Sequence, residues 1–210
     1  MTTTVKSGWI HGLVSFSGTG SYPVRTQVSL PHGTYNSADL AGMDEEQSWL
    51  ASAAHELGHA AAHLRYGVHV MSVDLYRSVD LWDSESPRAE VSTWMTNDQL
   101  TSRGALVASA AGERAQDRWL REKGLWTPVR SLEVEVAART DRFSVVRMDP
   151  RVGFGDTEID YADLMAEADA VLADFWTRLE ACVPALLAAG SWSGDEVASR
   201  LGVVNPPAPS

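Results

Sequence analysis

Cysteine is nearly absent from this chain. Cys182 is the only one in 210 residues. That excludes an intrachain disulfide framework and makes a reducing, cytoplasmic compartment the expectation. Long hydrophobic runs are missing as well. No apolar stretch reaches the roughly 18 residues a bilayer-crossing helix needs, so no membrane span is expected. The opening "MTTTVKSGWIHGLVSF" has no continuous apolar core of the kind a secretory signal requires. Positive charge is scarce: 17 Lys and Arg stand against 28 Asp and Glu, for a formal net charge of −11. Such a surface repels phosphate backbones and argues against a nucleic-acid partner. No GxxxxGK[ST] phosphate loop occurs, which argues against a bound nucleotide driving any activity.

What remains is suited to a globular domain. Hydrophobic residues make up 44% of the chain and charged residues 21%, and eight tryptophans offer large buried anchors. Residues 1–44 are rich in Gly, Ser, Thr and Pro. Their β-prone pieces "LVSF" and "VRTQVSL" are set apart by turn signals, which gives an N-terminal β or irregular segment with no evident chemistry. Residues 45–66 read as a long helix, with "MDEE" at its dipole-favoured start and Gly67 as a stop. "VHVMSVDLYRS" reads as a strand, followed by an acidic, solvated loop over 80–90. One helix is expected over 97–122, started by a Thr96/Gln99 capping box and ended by Gly124. In 128–148, "LEVEV" and "FSVV" alternate around "RTDR", which favours a β-hairpin over a helix. A third helix runs from near Thr157 to about Ala189, kinked or divided at Pro184. A short last helix follows, with Ser193 and Glu196 as its capping box, and 203–210 is expected to be a disordered tail. The fold class is therefore mainly α, of the α+β kind, with a small β element.

The chemistry concentrates in "HELGHAAAH", His55 to His63. On a helical wheel Leu50, Leu57 and Leu64 mark the core stripe. His55 and His59 fall about 160° to either side of Leu57, so they are neighbours about 40° apart on the opposite face. Imidazoles at i and i+4 can converge on one ion, and zinc accepts histidine nitrogen while leaving a position open for water. Glu56 sits beside the pair without needing to ligate, and could take a proton from a water on the metal. Gly58 costs a helix about 1 kcal/mol relative to alanine, which makes sense if another backbone passes close by.

Two histidines do not complete a catalytic zinc site, which usually has three protein ligands. His63 lies about 80° from His55 and is poorly placed to share their ion. The HExxHxxGxxH pattern is absent, with Ala62 and Arg65 where its glycine and third histidine would stand. A carboxylate from elsewhere is needed. Glu85, Glu90, Glu113, Asp156, Asp160 and Asp163 are candidates, and spacing does not choose among them.

"HELGHAAAHLRYGVHVMSVDLYRS" resembles the peptidase domain of the FtsH-type zinc proteases. "LVASAAGERAQD" is similar to that family's second helix, with its Ala-Gly-x-x-Ala core. "GDTEIDYADLMAEADAVL" looks like the segment where an aspartate opening a long helix supplies the third ligand. "LLAAGSWSGDEVASRL" is similar to its C-terminal helical hairpin. The resemblance covers about 45–202, with 121–155 as an apparent insertion, and implies a zincin-like helical metallopeptidase domain. It implies His55, His59 and Asp160 as zinc ligands, Asp156 in reserve, and Glu56 as general base. Thr157 and Asp160 also form a capping pair, so Asp160 has a competing structural use. The usual members carry a membrane anchor and an ATP-driven unfoldase that are not found here. The implied activity is ATP-independent cleavage of flexible peptide or protein substrates, with the strand near 68–77 adding an extended peptide to its edge. Two alternatives stand beside it. An ImmA/IrrE-type regulatory peptidase shares "HELGHA" and would take Glu85 or Glu90 as its glutamate ligand. A metallopeptidase-like scaffold without turnover would have had no need to keep Glu56. Oligomeric state and substrate are not legible.

Overall fold

In the computed structural model, residues 8–16, 20–28, 43–79, 85–155 and 157–209 are described. Three helices form its centre. The first, α1 (Glu45–Arg65), opens on a capping box in which Asp44 accepts from the Gln47 amide while the Gln47 side chain accepts from the Asp44 amide. The other two are α3 (Arg103–Glu122) and α6 (Tyr161–Ala189). Both pack along α1. Leu57 and Leu64 are buried as the helical stripe requires, and Leu50 packs against the same core. Alanines carry the rest of the contact: Ala53, Ala54, Ala60 and Ala61 of α1 and Ala105, Ala108, Ala111 and Ala115 of α3 are all buried. Small side chains let the two backbones approach closely. Gly58 lies at this contact, since a Cβ there would stand 2.5 Å from both the Ala111 carbonyl oxygen and the Ala115 Cβ. The backbone expected to pass beside Gly58 is therefore that of α3.

The small β element is an antiparallel sheet in the order β4-β3-β7, made of β3 (His69–Val79), β4 (Glu85–Trp94) and β7 (Ser191–Ser193). Val73 is central, opposite Val91 on one side and Trp192 on the other. The strand anticipated near 68–77 is thus the middle of the sheet, and β4 and the three-residue β7 are its two edges among the described residues. Of the acidic stretch 80–90, positions 85–90 belong to β4 rather than to a loop, and 80–84 lie outside the described residues. A second, two-stranded sheet pairs β1 (Ile10–Phe16) with β2 (Gly20–Thr26), close to the anticipated β-prone pieces.

Several expectations are corrected. The helix expected over 97–122 is two: a single turn, α2 (Asn97–Leu100), with the Thr96/Gln99 capping box, and α3, which restarts when the Ser102 hydroxyl accepts from the Ala105 amide. Residues 128–148 form no hairpin but two helices, α4 (Pro128–Ala137) and α5 (Arg139–Met148). Thr127 caps the first, and Pro128 follows where a missing N–H costs nothing. The third long helix begins at Tyr161 after a two-residue parallel pairing of β5 (Val152–Gly153) with β6 (Ile159–Asp160), and it runs through Pro184 undivided. After α7 (Gly194–Leu201) the tail is held. The Asn205 side chain bonds both the N–H and the carbonyl of Val70, and the Pro206 carbonyl accepts from His69. No helix among the described residues is long and apolar enough to cross a membrane.

Candidate metal centre

His55 and His59 lie on the face of α1 turned away from Leu57, and both are buried. Space for their rings comes from α3. A Cβ at Gly112 would stand 2.6 Å from His59 Cε1 and 2.7 Å from His55 Cδ2. Each ring is oriented through its Nδ1. His59 Nδ1 donates to the Ala108 carbonyl at 2.7 Å, and His55 Nδ1 donates to Gln116 Oε1 at 3.0 Å. A carbonyl oxygen can only accept, so the proton of each neutral ring sits on Nδ1 and the Nε2 lone pair faces inward. The two Nε2 atoms are 3.0 Å apart.

A third donor closes on them. Asp141 Oδ2 lies 3.2 Å from His55 Nε2 and 3.6 Å from His59 Nε2. Asp141 is in the first turn of α5, where the helix dipole favours a carboxylate. Among the described residues, His55, His59 and Asp141 are the group whose ligand atoms converge as a metal site requires. A tetrahedral ion with donors at about 2.0–2.1 Å holds neighbouring donors about 3.3–3.4 Å apart, and the observed 3.0, 3.2 and 3.6 Å bracket that spacing. Without an ion, two lone pairs and a carboxylate oxygen would face each other, so the arrangement demands positive charge. The ionisation of the groups shows the same demand. Burial alone would push the His59 imidazole down, yet the Asp141 carboxylate, with the Glu56 charge and the Ala108 carbonyl behind it, holds it up at about 9. Asp141 is buried enough to be pushed up, but the two histidines hold it well below the usual carboxylate range.

The third ligand expected at Asp160 is not part of this group. Asp160 Oδ1 accepts from Trp9 Nε1 at 2.8 Å and from the Ala162 amide at 3.0 Å, as the N-cap of α6. Its capping use prevails. Asp156 lies outside the described residues. Glu113 is occupied by Arg142, Asp163 is exposed, and nothing is described of the Glu85 side chain. Glu90 is exposed on β4 and accepts a long bond from Tyr76.

Asp141 was not among the sequence candidates. Its position is set by the next residue. Arg142 is buried and forms a two-pronged pair with Glu113 of α3, at 2.7 and 2.5 Å. Its Nη1 reaches the Arg25 carbonyl of β2 at 2.9 Å and the buried Glu135 of α4 at 3.0 Å. Arg142 therefore ties α5 to three other elements, and Asp141 with it. Gln116 and Gly112 were missed for a different reason: they lie in the small-residue core of α3, which carries no chemistry of its own until it is set against α1.

The three residues open onto a cavity of about 610 Å³, whose wall also includes Glu56, His63, Tyr76, Glu90 and Thr140. Glu56 is half-buried there, beside the histidines and outside the converging group. No lysine or arginine is among the described residues lining it. Ala89, Glu90 and Val91 bring the open-edged strand β4 to the same cavity. No protein-family model matches the chain, and no curated protein sequence matches it.

Proposed function

We propose that this protein is a zinc-dependent, ATP-independent peptidase in which His55, His59 and Asp141 hold the metal and Glu56 is the general base. The observation that carries this reading is the triangle of two imidazole nitrogens and one carboxylate oxygen at tetrahedral spacing, with the Glu56 carboxylate on the wall of the same cavity. Bound zinc would supply Lewis acidity, polarising the carbonyl to be cleaved and acidifying water. The residues of the chain do the rest. Gln116 and the Ala108 carbonyl fix the imidazole tautomers. Glu56 takes the proton of the attacking water and returns it to the leaving amine. The open edge of β4 offers main-chain hydrogen bonds along which an extended peptide can lie. The resemblance to FtsH-type peptidases belongs to this proposal. In that family an aspartate opening a helix completes the site, and Asp141 opens α5 in the segment that reads as an insertion.

The test is zinc content with cleavage of fluorescein-labelled casein as a flexible substrate. Wild type and Asp160→Ala should each carry about one zinc, the number that one three-donor site holds. Asp141→Ala should lose it. Glu56→Gln should keep zinc and lose cleavage. Zinc lost in Asp160→Ala but kept in Asp141→Ala would overturn the ligand set. Folded wild type that takes up no zinc would overturn the reading as a whole.

A further inference from the structure

Glu90 is the carboxylate of the cavity that the metal centre leaves unused. It is exposed, lies outside the converging group, and stands on β4 between Ala89 and Val91, all three of them on the cavity wall. Tyr76 places the carboxylate at that wall. It belongs to β3, one strand further in, yet it also lines the cavity, and its hydroxyl donates to Glu90 Oε2 at 3.4 Å. The register agrees: Tyr76 is opposite Arg88, so Glu90 is its diagonal neighbour on the same face of the sheet. Among the described residues, that long bond is the one Glu90 makes. Charge is left unbalanced here. The two positive charges of a zinc ion are matched by Asp141 and Glu56, and no lysine or arginine among the described residues lines the cavity to match Glu90. Arg139 lines a smaller cavity of about 140 Å³ that shares His55, Glu56 and Ala89 with this one but not Glu90.

We infer that Glu90 sets the substrate class: peptides carrying a lysine or arginine close to the scissile bond, whose side chain pairs with Glu90 across the added strand. The inference rests on the peptidase reading above. An extended peptide on the β4 edge becomes a neighbouring strand, and its residue opposite Glu90 points to the same face, with Cβ atoms about 4.5–5.5 Å apart. At that separation a cationic side chain is attracted, a neutral one gains nothing from the carboxylate, and an acidic one is repelled. The protein surface acts in the same sense, since a net charge of −11 draws cationic peptides and repels acidic ones before they dock. Glu90 is thus a specificity residue, neither a ligand nor a base.

Binding without turnover tests this. Zinc-loaded Glu56→Gln should hold a peptide without cutting it and serves as the background for calorimetric titration with two blocked hexapeptides. One is alanyl-lysyl-alanyl-leucyl-lysyl-alanine, whose lysines fall on opposite faces of a strand, so that either register presents one of them to Glu90. The other has norleucine in place of both lysines. The lysine peptide should bind about fivefold more tightly at low salt, the scale of one cross-strand ion pair, and the advantage should shrink as salt is raised. Adding Glu90→Gln should abolish the advantage and leave zinc content unchanged. Adding Asp163→Asn, which removes the same charge from an exposed position off the cavity wall, should preserve it. Equal affinity for the two peptides, an advantage that survives Glu90→Gln, one lost as fully with Asp163→Asn, or zinc lost with Glu90→Gln overturns the inference. If neither peptide binds, the inference falls, and casein cleavage by wild type decides whether the peptidase reading falls with it.

Discussion

The imidazole of His59 occupies the space where a side chain at Gly112 would begin. A Cβ there would lie 2.6 Å from His59 Cε1, well inside van der Waals contact, and 2.7 Å from the ring of His55. Neither ring can retreat easily, because each Nδ1 is bonded to α3 itself. Gly112→Ala should therefore leave the helices formed but move the imidazoles out of register with Asp141. Zinc affinity should fall at least tenfold, the scale of effect that supporting residues of metal sites show, with little change in circular dichroism. Competition with a chromogenic chelator measures it, and unchanged affinity would show that the rings have room the geometry denies them.

Arg142 and Glu113 make a buried pair, two-pronged and almost fully excluded from solvent. Truncating one partner leaves the other charge buried, a loss of about 3–5 kcal/mol in comparable pairs. Arg142→Met strands both Glu113 and Glu135, so urea denaturation of the metal-free variant should show a loss in that range. Zinc affinity should fall as well, because α5 is released from β2, α3 and α4 together. A loss under about 1 kcal/mol would mean the pair is looser than its geometry, like an exposed ion pair.

The same network explains what could and could not be read from the sequence. His55 and His59 share one helix, so the turn angle alone made them neighbours, and they meet at 3.0 Å. Asp141 comes to them from 86 residues away, a tertiary contact with no local trace. Even the element carrying it was concealed. Buried positions in 128–148 are Leu132, Val134, Glu135, Ala138, Arg142 and Val145, and the five other than Val134 fall at helical spacing. Two of these five are charged, and they are buried only because they pair with each other and with Glu113. Hydrophobicity therefore missed the helical period and saw the weaker alternation of "LEVEV", while Thr127-Pro128 marked the true start. Asp160 shows the converse. A helix-opening aspartate looks the same in sequence whether it binds an ion or caps a backbone, and only its bonds to Trp9 and Ala162 decide.

Glu135 gives the network a dependence on pH. Burial pushes its carboxyl up to about 7, against the pull of Arg142 and the Arg25 amide and with the Glu113 charge adding to the rise. Between about 4.5 and 7 the folded protein keeps a proton that the unfolded chain has released, so stability falls as pH rises through that window. At about 1.4 kcal/mol per pH unit, the full effect is roughly 3 kcal/mol, complete above about 7. Glu133, also pushed up to about 7 by burial, adds to the slope in the same direction. Glu135→Gln keeps an oxygen for Arg142 and Arg25 but has no proton to lose. Its stability relative to wild type should therefore increase from pH 5 to pH 8 by a few kcal/mol, read as the difference between urea unfolding energies at each pH. Taking that difference cancels every other titrating group the two proteins share. A difference independent of pH would mean that Glu135 is ionised throughout, with Arg142 outweighing its burial.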